Sequence, residues 1–352
     1  MNDFSSRLTQ WQREFGRHHL PWQVDDGYHV WLSEIMLQQT QVTTVLDYYP
    51  RFLARFPTLA DLAAAPLDDV LALWSGLGYY TRARNLHACA QAVVRDFGGQ
   101  FPSDPTLIAT LPGIGRSTAA AIAAFSYGTR AAILDGNVKR VLTRWAGIEG
   151  FPGVKTIENQ LWTLAEALLP EPNKNKMLAA AAIKAHTQGL MDLGATICTP
   201  KNPICLTCPL NADCQARLSG RQAELPTKKP KKTIPEKSTV MVLLQNDSGQ
   251  ILLERRPPTG IWGGLWSLPE VATTLSANEQ MQSRFGLEIE LEPALPEFVH
   301  VFTHYRLTIT PQPAYLIGSS TLREDQTAWF SIQAALAAGI PTPLRKIINA
   351  LK

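Results

Sequence analysis

A chain of 352 residues is long for one hydrophobic core, so two or three domains are the default expectation. Its 45% hydrophobic and 18% charged residues are the balance of an ordinary globular protein, and no apolar run is long enough to span a bilayer. The formal charge of +3 permits a polyanionic partner without requiring one.

The first residues, MNDFSSRLTQWQREF, mix acids with bases and have no apolar core, so no signal peptide is expected and the cytoplasm is the expected compartment. Thiols stay reduced there, which argues against a disulfide framework. From residue 1 to about 220 the apolar residues recur at spacings of three and four, and the sequence predicts mostly helix. "VWLSEIMLQQTQV" is one such stretch, with Glu34, Gln38 and Gln41 on a single polar face that would ordinarily meet solvent. "LDDVLALWSGLG" and "STAAAIAAFSYG" are others, and Cys89 in "LHACAQAVV" reads as core packing.

"LPGIGRSTAAAIAAF" (111–125) places Gly113 and Gly115 in a tight turn opening onto a helix. Glycines let a ligand approach the backbone, and the free N–H groups of a helix start suit a phosphate. An ordinary turn between two helices would look the same. Next, "ILDGNVKRVLTRW" (133–145) sets Asp135 just ahead of an apolar stripe made by Val138, Val141, Leu142 and Trp145, where an aspartate ordinarily caps a helix.

Four of the five cysteines then fall within seventeen positions, as Cys198-x6-Cys205-x2-Cys208-x5-Cys214. A zinc ribbon usually offers two C-x2-C pairs and only one exists here, whereas four thiolates on one compact loop also satisfy a cubane iron–sulfur cluster. The spacing leaves zinc and the cluster both open. Beyond it, "ELPTKKPKKTIPEKS" (224–238), with three prolines and five lysines, reads as a linker. "STVMVLLQNDSGQILLERR" predicts two strands about an Asn-Asp-Ser-Gly turn, "HVFTHYRLTI" (300–309) a further strand, and "TPLRKIINALK" a closing helix.

Taken together, the Leu-Pro-Gly-Ile-Gly turn, the aspartate about twenty residues later and the cysteine loop resemble the helix–hairpin–helix DNA glycosylases that carry an iron–sulfur cluster. Among these, "WLSEIMLQQTQV", "GLGYYTRARNL", "ILDGNVKR" and "MDLGATIC" resemble the MutY-type adenine DNA glycosylases, in order over most of residues 20–215. The resemblance implies an α-helical domain over 1–223 with a [4Fe–4S] loop at 198–214, a linker over 224–238, and an α/β Nudix-like domain over 239–352. It implies one [4Fe–4S] cluster on Cys198, Cys205, Cys208 and Cys214. It also implies monomeric action on double-stranded DNA containing adenine opposite 8-oxoguanine or guanine, away from membranes and associated with the nucleoid.

By the same resemblance Glu34 is the general acid, Asp135 stabilises the sugar cation, and Asn137 hydrogen-bonds within the site. Leu37 and Gln188 lie against the adenine, Gln39 and Tyr79 wedge into the base stack, and Gly113, Gly115 and Lys139 meet the phosphates. The family's Phe-Ser-His motif appears as Phe302-Thr303-His304, which makes Thr303 and His304 the contacts to the lesion.

Three departures from the family pattern stand out. Ser117 occupies the place where bifunctional relatives carry a nucleophilic lysine, so hydrolysis without efficient strand cleavage is expected. The segment 169–189 is longer than usual and lacks Phe-Asn before Gln188. "SANEQMQSRFGLE" lacks the glutamates a working Nudix hydrolase places on its metal, so that activity is not expected. The other readings are a pyrimidine-lesion glycosylase with lyase activity and a non-catalytic iron–sulfur DNA-binding protein.

Overall fold

The computed structural model describes residues 2–230, 233–317 and 326–350; Lys231 and Lys232 of the expected linker lie outside them. The chain packs as two compact units, one of residues 1–64 with 88–231 and the other of 65–87 with 232–352.

The first unit is helical, as its spacing predicts. The helices Asn2–Phe15, Arg116–Tyr127, Gly136–Ala146 and Lys176–Asp192 contribute to a core that includes Phe4, Leu8, Leu142, Leu161 and Leu193. Small residues allow the closest approaches. Gly128 ends Arg116–Tyr127 at φ +67, and a Cβ there would stand 2.2 Å from that of Ala180. The stretch expected as one helix around Glu34 is two: Gly27–Leu37 and Val42–Arg55, parted where Gln39 takes φ +56. Gln38 and Gln41 therefore do not continue Glu34's helical face.

The second unit is built on a mixed sheet of β1 (Glu236–Gln245), β2 (Ile251–Arg255), β3 (Trp266–Ser267), β4 (Glu270–Val271), β5 (Ile289–Leu291), β6 (Phe298–Val301), β7 (Arg306–Leu316) and β8 (Thr327–Phe330). Its main path runs β3-β2-β1-β7-β5, with β1 and β7 parallel through ten registered pairs. Both long strands are buried along much of their length, and the helix Ala277–Phe285 inserts Met281 and Phe285 into the core beside them. β1 and β2 join at the expected turn, where Asn246 N–H donates to Gln250 O at 3.0 Å and Gly249 takes φ +70. The stretch 300–309 is a hairpin rather than one strand. Phe302 N–H donates to Tyr305 O at 2.9 Å, which puts Thr303 and His304 at the turn between β6 and β7.

Residues 65–87 belong to this unit through specific bonds that apolar spacing cannot reveal. Ser75 and Tyr80 hydroxyls both donate to Ile340 O, at 3.1 and 3.2 Å, and Arg255 Nη1 pairs with Asp68 at 2.7 Å. The packing thus groups these residues with the sheet, where a linear division at the linker places them with the helices.

Candidate active site

Glu34 is delivered by the last turn of Gly27–Leu37. Asp26 caps this helix by accepting His29 N–H at 2.9 Å, and Val30, Trp31, Leu32, Ile35 and Met36 bury it. That burial fixes the helix's rotation and leaves Glu34 at the wall of a cavity of about 420 Å³, within the range of small-molecule sites. Leu37, Gln188, Arg17, Trp22 and Phe125 share the wall. Part of Glu34 opens to the cavity, yet protein surrounds the carboxyl closely. Desolvation, with the negative charge of Asp135 adding to it, pushes the acid up to about 8. Glu34 is therefore protonated at neutral pH.

Asp135 caps Gly136–Ala146, as the apolar stripe predicts, with its carboxylate accepting Val138 N–H at 2.7 Å. Burial raises its pKa. The amides of Val138 and Asn137 and the charges of Arg140 and Lys139 act in the opposite direction. Burial raises both carboxyls, but only Asp135 has amides and positive charges acting against the shift.

Asn137, in the first turn of the same helix, accepts from Arg140 Nη2 at 2.8 Å. Arg140 also donates to Gly194 O and Cys198 O, both at 2.7 Å. Arg144, buried one turn later, donates to Thr199 O at 2.7 Å and Leu225 O at 2.8 Å and lies 3.4 Å from Cys198 Sγ. Two arginines thus fasten the helix that begins at Asp135 to the cysteine loop. Gly194 is required at its place, since a Cβ would come 2.6 Å from that of Asn137.

All four cysteines stand outside any disulfide and line one cavity, together with Arg144, Arg217 and Gln222. Among the described residues, no three His, Cys, Asp or Glu are placed to hold a single metal ion. The donor set is nonetheless all sulfur, with Arg144 Nη1 and, at 4.0 Å from Cys205 Sγ, Gln222 Nε2 directed at it. Such donors stabilise thiolate charge.

The turn ahead of Arg116–Tyr127 is as its glycines predict. Gly113 takes φ +74, Ile114 is buried, and open space surrounds the position a Cβ would occupy on Gly115. Lys139, expected at phosphates, pairs with Glu158 at 2.7 Å. Ser117 is not idle, because its hydroxyl accepts Leu134 N–H at 2.9 Å, one residue before Asp135.

Gln39 and Tyr79 are two of only four described non-glycine residues with positive φ, at +56 and +48, and both are exposed. Tyr79, Thr303 and His304 line one pocket of the second unit with Trp262, His300 and Phe302. Thr303 and His304 are exposed there, 3.4 Å apart through Oγ1 and Nδ1.

Sequence reasoning missed Arg17 and Asp192. Asp192 is fully buried and accepts from Arg17 N and Nε, at 2.9 and 2.7 Å, and from Gln188 Nε2 at 2.8 Å. "MDLGATIC" contains Asp192, but its partner lies 175 positions away and no local pattern reveals it. Also unforeseen is the burial of His186 and Thr187, the two residues before Gln188. His186 Nδ1 hydrogen-bonds Ser5 Oγ at 2.9 Å, and burial, with the charge of Arg130 adding to it, pulls the imidazole down to about 4.

Comparison with known proteins follows the two-part architecture. Residues 32–167 match the HhH-GPD superfamily of base excision DNA repair proteins, and residues 239–350 match the NUDIX domain. An adenine DNA glycosylase of Buchnera aphidicola subsp. Baizongia pistaciae is 39% identical over 99% of this chain and 97% of its own length. The adenine DNA glycosylase of Homo sapiens is 34% identical over 98% of this chain and 73% of its own. Among solved structures, a thermostable thymine-DNA glycosylase superposes with TM-score 0.54 and 28% identity, covering 61% of this chain and 95% of that one.

Proposed function

The chain belongs to the adenine DNA glycosylase family of base excision repair, hydrolases of N-glycosyl bonds in DNA, and from that premise we propose that it removes adenine opposite 8-oxoguanine or guanine, using Glu34 and Asp135, without cutting the strand. The observation that supports this most directly is the pairing of a protonated Glu34 at the wall of the cavity with Asp135 at a helix start, where Val138 N–H and the charges of Arg140 and Lys139 favour its ionised form against burial.

The target atoms are unreachable in a stacked duplex, so the adenosine must first leave the helix and enter the cavity. Glu34 then gives its proton to the departing adenine. The glycosidic electron pair leaves with the base, and a cationic sugar remains. Asp135 offers that sugar the nearest negative charge, and electrostatic stabilisation of this kind is where such sites gain most. Water attacks the sugar, its proton passing to the now ionised Glu34, which restores the enzyme. Leu37 and Gln188 would bound the adenine, and Asn137 would hold the first turn after Asp135.

Ser117 supports the absence of strand cutting. A hydroxyl that accepts Leu134 N–H is no amine nucleophile, and its bond orders the backbone leading into Asp135. Cys198, Cys205, Cys208 and Cys214 would hold a [4Fe–4S] cluster. An all-sulfur donor set around one cavity, with Arg144 and Gln222 directed at it, is compatible with such a group. The cluster would brace the loop that Arg140 and Arg144 tie to the catalytic helix. The amides around Gly113 and Gly115 would take a phosphate; Lys139, already paired with Glu158, would add only charge.

Gln39 and Tyr79 would enter the stack about the opposite base, and Thr303 and His304 would read it from their turn. The Nudix-like part would not hydrolyse diphosphates, since the helix Ala277–Phe285 carries a single acid, Glu279, and its Arg284 pairs with Glu254. No described helix is long and apolar enough to cross a membrane, and the protein would work as a monomer on nucleoid DNA in the cytoplasm.

The test is base release from duplexes carrying adenine opposite 8-oxoguanine, guanine or thymine, with strand nicking read separately. Release from the first two, with breaks only after alkali, is expected. Nicking that matches base release without alkali would sink the monofunctional reading, and equal release opposite thymine would sink the mispair reading.

A further inference from the structure

Gln188 reaches the cavity from the helix Lys176–Asp192, and an amide side chain is by itself an ambiguous reader. It can present either a donor or an acceptor, depending on which way it is turned. A base-reading glutamine therefore discriminates only if something decides the turn. Here the deciding group is visible. Asp192, one helical turn on, has a side chain 1% exposed and is ion-paired with Arg17 at 2.7 Å. A carboxylate so paired only accepts hydrogen bonds. Gln188 must therefore turn its NH₂ toward Asp192 Oδ1, where Nε2 lies at 2.8 Å, and its carbonyl oxygen is the atom left over. That oxygen has no recorded partner among the described residues, and Gln188 lines the same cavity as Glu34.

We propose that Asp192, held by Arg17, is a positioning residue that locks the Gln188 amide with its carbonyl oxygen toward the base, making the cavity select a purine bearing an amino group at position 6 and reject one bearing oxygen there. This deepens the reading of the cavity as the adenine site and rests on it. Adenine presents an N6 amino donor, whereas guanine and hypoxanthine present an O6 acceptor. Against a fixed carbonyl the first makes a bond, and the second brings two acceptors together with nothing to pair them. A site committed to one polarity rejects the wrong partner far more strongly than a shape filter does. Arg17 contributes twice, through its Nε and through its backbone N–H, so both Asp192 oxygens are occupied and the carboxylate cannot swing away.

The test uses the full protein and duplexes whose target nucleotide carries a 2′-fluoro sugar, which slows bond cleavage so that affinity can be read. Adenine, unsubstituted purine and hypoxanthine are compared opposite guanine. A locked carbonyl predicts the order adenine, then purine, then hypoxanthine, with hypoxanthine at least ~10-fold weaker than purine. A freely turning amide could donate to O6 and would bind hypoxanthine at least as well as purine; that result in the parent protein overturns the proposal without any variant. In Asp192→Asn the lock is lost, because an asparagine can face Gln188 with either end. The gap between purine and hypoxanthine should then close to within ~2-fold, while adenine weakens less than 10-fold. A folded Asp192→Asn protein that keeps the parent's order also overturns it. If Asp192→Asn fails to fold, the parent's order alone decides. Release of adenine from an ordinary duplex is scored separately: a protein that releases none refutes the adenine site itself, whatever the order of affinities.

Discussion

The cavity at Glu34 and the turn at Thr303-His304 are opposite solutions to the problem of placing polar groups. At Glu34 a carboxyl is enclosed until it holds its proton at neutral pH. At the turn, a hydroxyl and an imidazole stand exposed at the end of a hairpin, 3.4 Å apart, with the imidazole edge-on to Tyr305 at 4.9 Å between ring centroids. Proton transfer needs a group whose affinity for the proton has been altered, and burial is the means. Reading a base needs ordinary donors and acceptors that can be reached. The first costs stability and the second costs almost none, so substitutions at the two places should differ in kind.

The largest effect is expected at the buried pair. Glu34→Gln keeps the shape and removes the proton, so adenine release should fall by at least ~10² while DNA binding persists. Asp135→Asn should act likewise in single-turnover release, with little change in melting temperature if a side-chain amide oxygen still caps Val138 N–H. A parent-like rate in Glu34→Gln would make Glu34 a mere cavity-wall residue. In the parent, the rate should hold through neutral pH and decline above about pH 8, as the general acid loses its proton.

The same burial predicts a stability effect of opposite sign. Glu34 titrates near 4.5 when unfolded and near 8 when folded, so the unfolded chain gives up this proton first as pH rises. The parent is then penalised progressively from pH 4.5 to pH 8, and Glu34→Gln escapes the penalty. Denaturant unfolding should find the variant more stable at pH 7, by on the order of 3 kcal/mol, with the difference nearly gone at pH 4.5. Equal stability at both pH values would mean that Glu34 is solvated in the folded protein.

How much of this was legible depends on how far the determining contacts lie along the chain. Asp135 as a helix cap was legible because a cap is made by the next three residues. The turn at Gly113 and the cysteine spacing were legible for the same reason. Glu34 was not: its polar face with Gln38 and Gln41 presumed a helix that ends at Leu37, and its enclosure comes from Arg17, Phe125 and Gln188. Arg17 and Asp192 were illegible across 175 positions. The hairpin at Thr303-His304 read as one strand because alternation looks the same on both sides of a tight turn. Residues 65–87 read correctly as helix, but periodicity does not say against which partner a helix packs.

At the exposed turn the expected effect is smaller and confined to selectivity. Thr303→Ala with His304→Ala should leave release opposite guanine within about twofold and reduce the preference for 8-oxoguanine by roughly tenfold, the worth of one lost discriminating contact of about 1–3 kcal/mol. Melting should be unchanged, since neither side chain packs in a core. Thr303→Ser should be nearly silent. If the double variant loses release opposite guanine as well, the turn supports the fold or the chemistry rather than the reading of the opposite base.

The smallest effect separates the two kinds of site within a single residue. Gln39 is exposed, yet its backbone is in the left-handed region, which costs a side-chain-bearing residue about 1 kcal/mol. Gln39→Ala removes the side chain and keeps the strain. Gln39→Gly removes both, against the greater freedom glycine gains in the unfolded chain. If the strain is kept because the side chain enters the base stack, both variants should bind mispaired duplexes several-fold more weakly, and by the same factor. Only the glycine variant should be more stable than the alanine one, by about 0.5–1 kcal/mol. A glycine variant that binds DNA as the parent does would leave Gln39 with a turn to make and no base to touch. An alanine variant matching the glycine one in stability would show that the turn relaxes, and that no strain is held there for binding to use.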